Sequence, residues 1–561
     1  MEYMDKFKFW QDCDFFDEQT RQELIRLEKN NDNAEIEDRF YKDLDFGTGG
    51  LRGIMGAGTN RMNKYTVGRA TSGAADYFLD TFGHALCLNR GIVVAYDTRN
   101  NSRYFAQTAS DVLSAKGIKT FLFDVPVPTP ELSFAVKFFN CLGGIVITAS
   151  HNPKEYNGYK VYDEYGCQLV PDKAERLIGY VKKIKNYSDI NFNGIKDLQI
   201  SIDITKEFVS SVLKQSVFKD FENKKRLKIV YTPLHGAGNI PVRQALKLAG
   251  FKDVAVVSEQ ELPDGNFSTV KSPNPEDSDA LNFGIQLAKK SKADIVLGTD
   301  PDCDRVGVGI NTDVGFTLLT GNQIGALLVD YVLSKKDLTN VNNPVVIKTI
   351  VTSELGAEIA KKHGLRVLST LTGFKFIGEK ITQFEKNKET NYTFVIGYEE
   401  SYGYLVGTHS RDKDAVVASL LICEMAAEYK AQGKTLQNRL NEIYCEYGYY
   451  HDALESFTFE GKNGMQHIQS IMNRLRNAVT PFDEIKEIID YKKGIKMESP
   501  LESLPRADVL KFLLADGSWI AVRPSGTEPK IKFYFSIKDK NKLNAETRLN
   551  GYRKIVTELV K

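Results

Sequence analysis

Hydrophobic residues follow two different spacings along the chain. In the first part, about 40 residues long, apolar side chains such as Ile36 and Phe40 recur at helical intervals among charged ones, which predicts helices. From residue 91 onward, short apolar runs such as residues 91–97 alternate with longer stretches of helical spacing such as residues 102–117. This alternation indicates parallel strands joined by crossover helices.

Four of the apolar runs end in loops with unusual side-chain chemistry. The runs GGIVITAS, ADIVLGTD, TFVIGY and SWIAVR lead into residues 151–153, 301–305, 399–403 and 524–527, respectively. In open α/β sheets, ligands bind beyond the carboxyl ends of the strands, which is where these loops are expected. We therefore expect each of four domains to contribute one loop to a single cleft.

The length of the chain, 561 residues, corresponds to three or four domains at roughly 150 residues per domain. Polar stretches near residues 189–201, 311–323 and 444–452 are candidate linkers. They predict domains at residues 1–205, 206–318, 319–445 and 446–561.

Composition and charge narrow the functional classes. Hydrophobic residues make up 42% of the chain and charged residues 26%, which excludes global disorder. The 74 basic and 73 acidic residues give a net charge of +1, so no bulk field attracts nucleic acid or an anionic membrane. We expect neither of these partners, and any anion binding must be local.

The cellular environment is inferred from cysteines and from the amino terminus. The 7 cysteines are widely spaced and form no C-x-x-C pair, so they suggest neither a disulfide framework nor a zinc site. Residues 1–16 lack the features of a signal peptide, and the apolar stretch 415–423 is far shorter than the ~18 residues that span a bilayer. We expect a cytoplasmic protein.

Asp300, Asp302 and Asp304 follow a buried-looking strand at alternate positions. Three carboxylates would repel one another in a packed strand, but on a turning loop they can converge on a divalent cation, and Mg²⁺ fits best. A calcium EF-hand would require Gly and Glu where Arg305 and Asn311 stand. The alternative interpretation is a solvated acidic turn.

Ser150 lies in the TASHNP segment, after another buried-looking strand. The surrounding turn residues could present its hydroxyl as a nucleophile or phosphate carrier, although G-x-S-x-G of the serine hydrolases is absent. Taken alone, a Ser-His pair in a loop, as at Ser150 and His151, more often forms a helix cap or a turn than a catalytic pair. Lys160 adds a cation that could act in acid–base chemistry or bind phosphate, and its alternative is a solvated lysine.

Three further segments offer polar groups to a ligand. Arg523 to Lys530 combines a guanidinium, two hydroxyls and a glycine, which suits a phosphate dianion, and a simple hairpin turn is the alternative. Residues 47–53 are glycine-rich and include Arg52, but they match no nucleotide-binding motif. Glu399, Glu400 and Ser401 could bind sugar hydroxyls or could begin a helix.

In order and spacing, these motifs resemble the α-D-phosphohexomutase superfamily over nearly the whole chain. TASHNP is similar to its phosphoserine loop, GTDPDCDR to its magnesium loop, GYEESYG to its sugar-recognition loop and RPSGTEPK to its phosphate-binding loop. DFGTGGLRG, TPLHG at 232–236 and TGFK at 372–375 are similar to the branch that contains phosphoglucomutases and phosphopentomutases. The resemblance implies three related mixed α/β domains and a smaller C-terminal α+β domain around a central active-site cleft.

The resemblance also implies roles for individual residues. Ser150 would carry the phosphoryl group, with His151 and Lys160 as further catalytic candidates, and Asp300, Asp302 and Asp304 would hold Mg²⁺ together with an oxygen at Ser150. Residues associated with substrate binding are Arg52, Arg305, Lys375, Glu399, Ser401, Arg523, Ser525, Gly526 and Thr527. The chain departs from the common family pattern at Thr299 and Pro301, and at Lys532, where some relatives have arginine.

The leading functional hypothesis is a phosphosugar mutase that interconverts glucose 1-phosphate and glucose 6-phosphate through a phosphoserine enzyme and glucose 1,6-bisphosphate. A phosphopentomutase, a magnesium-dependent sugar phosphatase and a non-catalytic sugar-phosphate-binding protein are the alternatives. A separate loop for a second phosphate, at residues 523–530, favours a mutase over a phosphatase. The general acid and base stay open among Lys160, Lys375 and His151, because their pKa values depend on burial.

Overall fold

The computed structural model describes residues 2–47, 50–387, 391–459, 464–477, 481–497, 502–525 and 529–561. The chain divides into two compact units. The first comprises residues 1–318 and 403–424, and the second comprises residues 319–402 and 425–561.

Three amphipathic helices begin the first unit, as the spacing of apolar residues predicts. They are α1 (Tyr3–Asp12), α2 (Glu18–Lys29) and α3 (Asn33–Phe40). The Asp17 and Asp32 side chains accept hydrogen bonds from backbone N–H groups at the starts of α2 and α3, where helical donors have no other partner. Trp10, Phe16 and Phe40 lie in the aromatic core between these helices.

The first sheet has six strands in the order β1-β5-β4-β2-β3-β6. Strands β4, β2, β3 and β6 are parallel, whereas β1 and β5 join antiparallel at one edge. The strands are β1 (Leu51–Ile54), β2 (Ile92–Tyr96), β3 (Thr120–Phe123), β4 (Gly143–Ile147), β5 (Tyr156–Tyr162) and β6 (Gln199–Ile202). The helices are α4 (Lys64–Phe82), α5 (His84–Arg90), α6 (Ser102–Ala115), α7 (Thr129–Phe138) and α8 (Pro171–Lys183).

The second sheet repeats this mixed pattern with five strands in the order β11-β10-β9-β7-β8. Its strands are β7 (Lys228–Thr232), β8 (Asp253–Val256), β9 (Ile295–Thr299), β10 (Val306–Thr312) and β11 (Gly315–Leu318). Its helices are α9 (Thr205–Leu213), α10 (Phe221–Arg226), α11 (Asn239–Ala249), α12 (Ser258–Glu261) and α13 (Asn282–Ser291). Strand β9 is buried at all five positions, which explains its continuous apolar run.

The second unit begins with a parallel sheet in which β12 (Pro344–Thr349) lies between β13 (Arg366–Thr370) and β14 (Thr393–Tyr398). Its helices are α14 (Gly321–Lys335), α15 (Leu355–Lys362) and α16 (Phe374–Lys386). Farther along the chain come β15 (Tyr404–Val406), which falls within residues 403–424 of the first unit, and then α17 (Ala415–Ala431) and α18 (Leu436–Tyr447).

The remaining strands form an antiparallel sheet in the order β16-β20-β19-β18-β17. They are β16 (Tyr449–Thr458), β17 (Ile485–Asp490), β18 (Leu510–Leu514), β19 (Trp519–Pro524) and β20 (Lys530–Asp539). Helices α19 (Gly464–Asn477) and α20 (Lys542–Val560) accompany them. The architecture is therefore the predicted one of three mixed α/β domains followed by a smaller α+β domain.

Across the ranges given above, the structure contains no helix that is both long and apolar enough to cross a bilayer.

Candidate active site

The loop after β4 presents Ser150 to the second sheet. Ser150 has a left-handed backbone conformation, with φ at 53°, and its N–H donates to Thr148 Oγ1 at 2.8 Å. Its hydroxyl donates to Asp300 Oδ2 at 2.8 Å and lies 3.1 Å from His151 Nδ1. Because Ser150 is only 4% exposed, the two sheets place its hydroxyl in a sheltered polar site.

The three predicted aspartates converge on the loop between β9 and β10. Asp300, Asp302 and Asp304 are buried, and each offers an oxygen within 4.8 Å of the oxygens of the other two. The loop turns through Cys303, whose φ is 49°, and Asp300 Oδ1 accepts hydrogen bonds from the N–H groups of Asp304 and Arg305 at 3.1 and 3.0 Å. The solvated acidic turn of the alternative interpretation is wrong.

The aspartates have unequal electrostatic environments. Burial and the neighbouring carboxylates of Asp302 and Asp304 raise the pKa of Asp300 well above its ordinary value. Burial opposes ionisation of Asp302 as well. The pKa of Asp302 nevertheless lies below its ordinary value, chiefly because the Lys160 ammonium is 3.3 Å from its carboxylate. The three carboxyl groups can therefore retain a proton among them until a bound cation compensates their negative charge.

Two oxygens of this group are suited to a metal ion. Asp302 Oδ1 and Asp304 Oδ1 are buried, and neither has a hydrogen-bond partner within the part of the chain that the structure describes. An unpaired buried carboxylate oxygen is costly, and hard carboxylate oxygens are the ligands that Mg²⁺ prefers. The donor set thus fits a divalent cation of this class.

Two lysines flank the aspartates. Lys160, on β5, is 7% exposed and therefore is not a solvated lysine. Its ammonium lies 3.3 Å from Asp302 Oδ2 and 3.9 Å from Asp304 Oδ2. Lys413, which the sequence analysis missed, lies 3.0 Å from Asp304 Oδ2. The charged run SRDKDA after an apolar strand is the signal that could have found it.

Three more predicted residues lie around Ser150. The Arg52 guanidinium donates to Asn152 Oδ1 at 3.2 Å, and Arg305 forms an ion pair with Glu276 at 2.6 Å. Burial, followed by the positive charges of Arg305 and Arg52, lowers the pKa of His151 well below 6.5. His151 is therefore a neutral ring at neutral pH, able to accept or donate a proton at Nδ1.

In the second unit, the loops after β14 and β13 meet at Glu399. The Gly373 N–H donates to Glu399 Oε1 at 2.9 Å, and Lys375 lies two residues farther on, in the first turn of α16. Residues 399–402 form a turn and not the helix start of the alternative interpretation. Ser401 is half-buried in this turn.

Strands β19 and β20 pair antiparallel on either side of the predicted phosphate loop. Arg523 is paired in register with Lys532, and the Ser525 N–H donates to Lys530 O at 2.7 Å. Gly526 and Thr527 lie outside the described residues. Burial raises the pKa of Tyr534, and the negative charge of Glu400 raises it further, whereas the positive charge of Arg523 lowers it. Residues of the predicted sugar loop and of the predicted phosphate loop thus act on the same side chain.

The predicted residues therefore form two groups. The first unit brings together Arg52, Ser150, His151, Lys160, Asp300, Asp302, Asp304 and Arg305. The second unit holds Lys375, Glu399, Ser401, Arg523 and Ser525. The prediction that all of them share one cleft concerns both units and stays a prediction.

Sequence comparison covers each domain. Residues 43–188, 206–314 and 320–447 match the phosphoglucomutase/phosphomannomutase alpha/beta/alpha domains I, II and III, and residues 468–547 match the C-terminal domain of the same family. A phosphoglucomutase from Staphylococcus haemolyticus is 39% identical over 524 residues, which cover 89% of this chain and 91% of that protein.

Structural comparison gives the same fold. Parafusin, a phosphoglucomutase from Paramecium, aligns with a TM-score of 0.68 at 19% identity, over 93% of this chain and 95% of that one. A phosphoglucomutase/phosphomannomutase family protein from Burkholderia thailandensis aligns with a TM-score of 0.67 at 19% identity, over 91% of this chain and 97% of that one. The chain belongs to the phosphoglucomutase/phosphomannomutase family of the α-D-phosphohexomutase superfamily.

Proposed function

We propose that the chain is a phosphoglucomutase, an enzyme that interconverts glucose 1-phosphate and glucose 6-phosphate. One observation carries the proposal. Ser150, at the position of the family's phosphoserine, donates to Asp300 Oδ2 at 2.8 Å, so the phosphoryl carrier and the predicted metal ligands are in contact. This contact joins the first sheet to the second, so a phosphoryl group on Ser150 would lie beside the predicted cation site.

Ser150 serves as the phosphoryl carrier in this mechanism. The free hydroxyl of the sugar phosphate attacks the phosphorus on Ser150 Oγ, the P–Oγ bond breaks, and the hydroxyl proton passes to a base. Glucose 1,6-bisphosphate results and turns around in the site. Ser150 Oγ then attacks the other phosphorus, the bond from that phosphorus to the sugar oxygen breaks, and the sugar oxygen takes up the proton held by the base. A protein-held phosphate is needed because pyranose geometry does not allow O1 and O6 to lie in line with one phosphorus.

The surrounding residues supply charge and proton transfer. Mg²⁺ bound by Asp300, Asp302 and Asp304 would offset negative charge on the transferring group. The neutral His151 ring lies 3.1 Å from Ser150 Oγ, and Lys160 lies beside the aspartates, so both can exchange a proton near the reacting oxygens.

The residues of the second unit bind the rest of the substrate. Arg523 and Ser525, with Gly526 and Thr527, hold the phosphate that is not being transferred. Glu399 and Ser401 accept or donate hydrogen bonds to sugar hydroxyls, and Lys375 lies close in sequence to the Gly373 N–H that fixes Glu399. Either phosphate of glucose 1,6-bisphosphate can be transferred to Ser150. The bisphosphate therefore also acts as an activator, because it phosphorylates enzyme whose Ser150 carries no phosphate.

The experiment compares Ser150→Ala with the exposed control Ser188→Ala. Conversion of glucose 1-phosphate is followed through oxidation of glucose 6-phosphate, with ribose 1-phosphate as the competing substrate, and phosphorylation is followed by intact mass. We expect Ser150→Ala to lose both activity and the added phosphate, and the control to keep them. Near-normal turnover in Ser150→Ala, or release of phosphate to water as fast as sugar is isomerised, would contradict the proposal.

A further inference from the structure

One buried arginine contacts the backbone of the whole loop that carries Ser150. Arg99 Nη2 donates to the carbonyl oxygens of Ser150 and Asn152, each at 2.5 Å. Arg99 Nη1 donates to the carbonyl oxygens of Pro153 and Tyr156 at 2.9 and 3.2 Å. A single guanidinium therefore gathers four carbonyl groups of a loop that belongs to no strand or helix before Tyr156.

This bracing matters because of the backbone at Ser150. A non-glycine residue at φ 53° is in the left-handed region, which is unfavourable for an L-residue because Cβ crowds the following carbonyl oxygen. Such a conformation persists only when the surroundings over-determine it. The charge-assisted hydrogen bonds to the Ser150 carbonyl and to its neighbours provide that constraint.

Arg99 is itself held from the side of the first sheet. Its Nε lies 3.3 Å from Asp97 Oδ2, and both side chains are fully buried. Asp97 follows β2 directly, and its other oxygen accepts hydrogen bonds from the Arg99 N–H at 2.9 Å and from Ser102 Oγ at 2.6 Å. The arginine is thus tied to the end of a central strand.

The domain of the second sheet also contacts the guanidinium. The central carbon of Arg99 lies 4.9 Å from the centroid of the Phe267 ring, and Phe267 is 1% exposed. In the same segment, Ser272 Oγ donates to the His151 carbonyl at 2.6 Å, and Asn266 Oδ1 accepts from Asn100 at 3.0 Å. The segment 264–272 therefore packs against both Arg99 and the Ser150 loop.

We infer that Arg99 and Phe267 are positioning residues that lock the Ser150 loop for phosphoryl transfer. Arg99 fixes the backbone of Ser150, and Phe267 fixes Arg99 by packing its ring against the guanidinium. Neither side chain touches the reacting atoms. The inference rests on the proposed role of Ser150 and adds that segment 264–272, from the domain that supplies the metal ligands, sets the orientation of the phosphoryl carrier.

The test uses two conservative variants and one matched control. Arg99→Lys keeps the positive charge but loses the planar fork, and Phe267→Leu keeps an apolar side chain but loses the ring face. Arg103→Lys, at an exposed position on α6, is the control. For each full-length protein we would measure kcat, KM, the rate of Ser150 phosphorylation by glucose 1,6-bisphosphate from intact mass, and the melting temperature.

We expect Arg99→Lys to lower kcat and the phosphorylation rate about 10²-fold, as a displacement of about 1 Å does, with KM nearly unchanged. Phe267→Leu should lower both rates by a smaller factor, and the control should match the wild type. In Arg99→Ala, added methylguanidinium should restore part of the phosphorylation rate, which a merely structural role would not allow. If Arg99→Ala does not fold, Arg99→Lys and Phe267→Leu decide the question.

The inference would be overturned by wild-type phosphorylation rates in Arg99→Lys, or by a loss of rate that only follows a loss of folded protein. Equal effects on kcat and on KM would also contradict it. A wild-type protein that neither isomerises the sugar phosphate nor becomes phosphorylated at Ser150 would count against the proposed function instead.

Discussion

Gly236, in the TPLHG segment after β7, offers a sharp test of how the metal loop is supported. The Ala237 N–H donates to the Pro301 carbonyl at 2.8 Å, so this segment lies directly against the loop that carries Asp300 and Asp302. A Cβ atom at Gly236 would lie 2.6 Å from Pro301 Cα and 2.8 Å from Pro233 O. Gly236→Ala therefore forces one backbone segment away from the other.

The size of the effect follows from these distances. Carbon atoms in contact prefer a separation of about 3.5–4.0 Å, so the two segments must part by about 1 Å. The neighbours are backbone atoms, which cannot rotate away, and Pro301 lies between two of the predicted metal ligands. A displacement of this size typically costs about 10²-fold in rate, or about 2.7 kcal/mol in the activation free energy.

The assay measures turnover of glucose 1-phosphate over a range of Mg²⁺ concentrations, and metal binding separately by Mn²⁺ titration. We expect Gly236→Ala to bind the metal more weakly, to lose about 10²-fold in kcat at low Mg²⁺, and to recover part of it at high Mg²⁺. Gly179→Ala, on helix α8 with no atom within 4 Å of the new Cβ, is the control and should behave as the wild type. Unchanged metal affinity and turnover in Gly236→Ala would refute this account.

Three more outcomes are expected. Arg523→Ala should raise KM by a factor that corresponds to about 1.5–3 kcal/mol, measured by steady-state kinetics, because a charge-assisted contact to the distal phosphate is lost in ground and transition states alike. Burial raises the pKa of Glu131 from 4.5 to about 8, so the folded state retains a proton that the unfolded state releases. The unfolding free energy of the wild type should therefore fall relative to that of Glu131→Gln as the pH rises from 4.5 to 8. Urea titrations at several pH values in this range measure it, and an unfolding free energy that changes equally with pH in both proteins would contradict the prediction. Glu424→Gln leaves the Lys224 ammonium, 2.6 Å away and buried, without its counter-charge, and should cost about 3–5 kcal/mol in urea unfolding, against less than 1 kcal/mol for an exposed pair.

The chemistry of each loop could be predicted from the sequence because it is local. A buried strand needs a continuous apolar run, and the residues that follow it must leave the sheet at its carboxyl edge. The spacing of Asp300, Asp302 and Asp304 therefore predicts a metal loop, and the position of Ser150 after a strand makes it a candidate phosphoryl carrier. The mixed α/β architecture follows from the same alternation of strands and helical stretches.

Contacts between distant parts of the chain could not be predicted in this way. Arg99 and Phe267 are ordinary residues in their own segments, and only the packing of two sheets places one over the other. Lys413 lies beside Asp304 although the two are far apart in sequence. Residues 319–402, which separate them, belong to the second compact unit, whereas residues 403–424 return to the first.

The sequence by itself determined the order of elements, the kind of domain and the residue types at each strand end, since these depend on neighbours within a few positions. The tertiary structure decided which side chains meet and how they ionise. Burial and two nearby arginines keep the His151 ring neutral. Asp302 and Asp304 each converge on the site with a buried oxygen that has no hydrogen-bond partner among the residues the structure describes. Desolvation and the distance between charges set both properties, and neither exists until the sheets have packed.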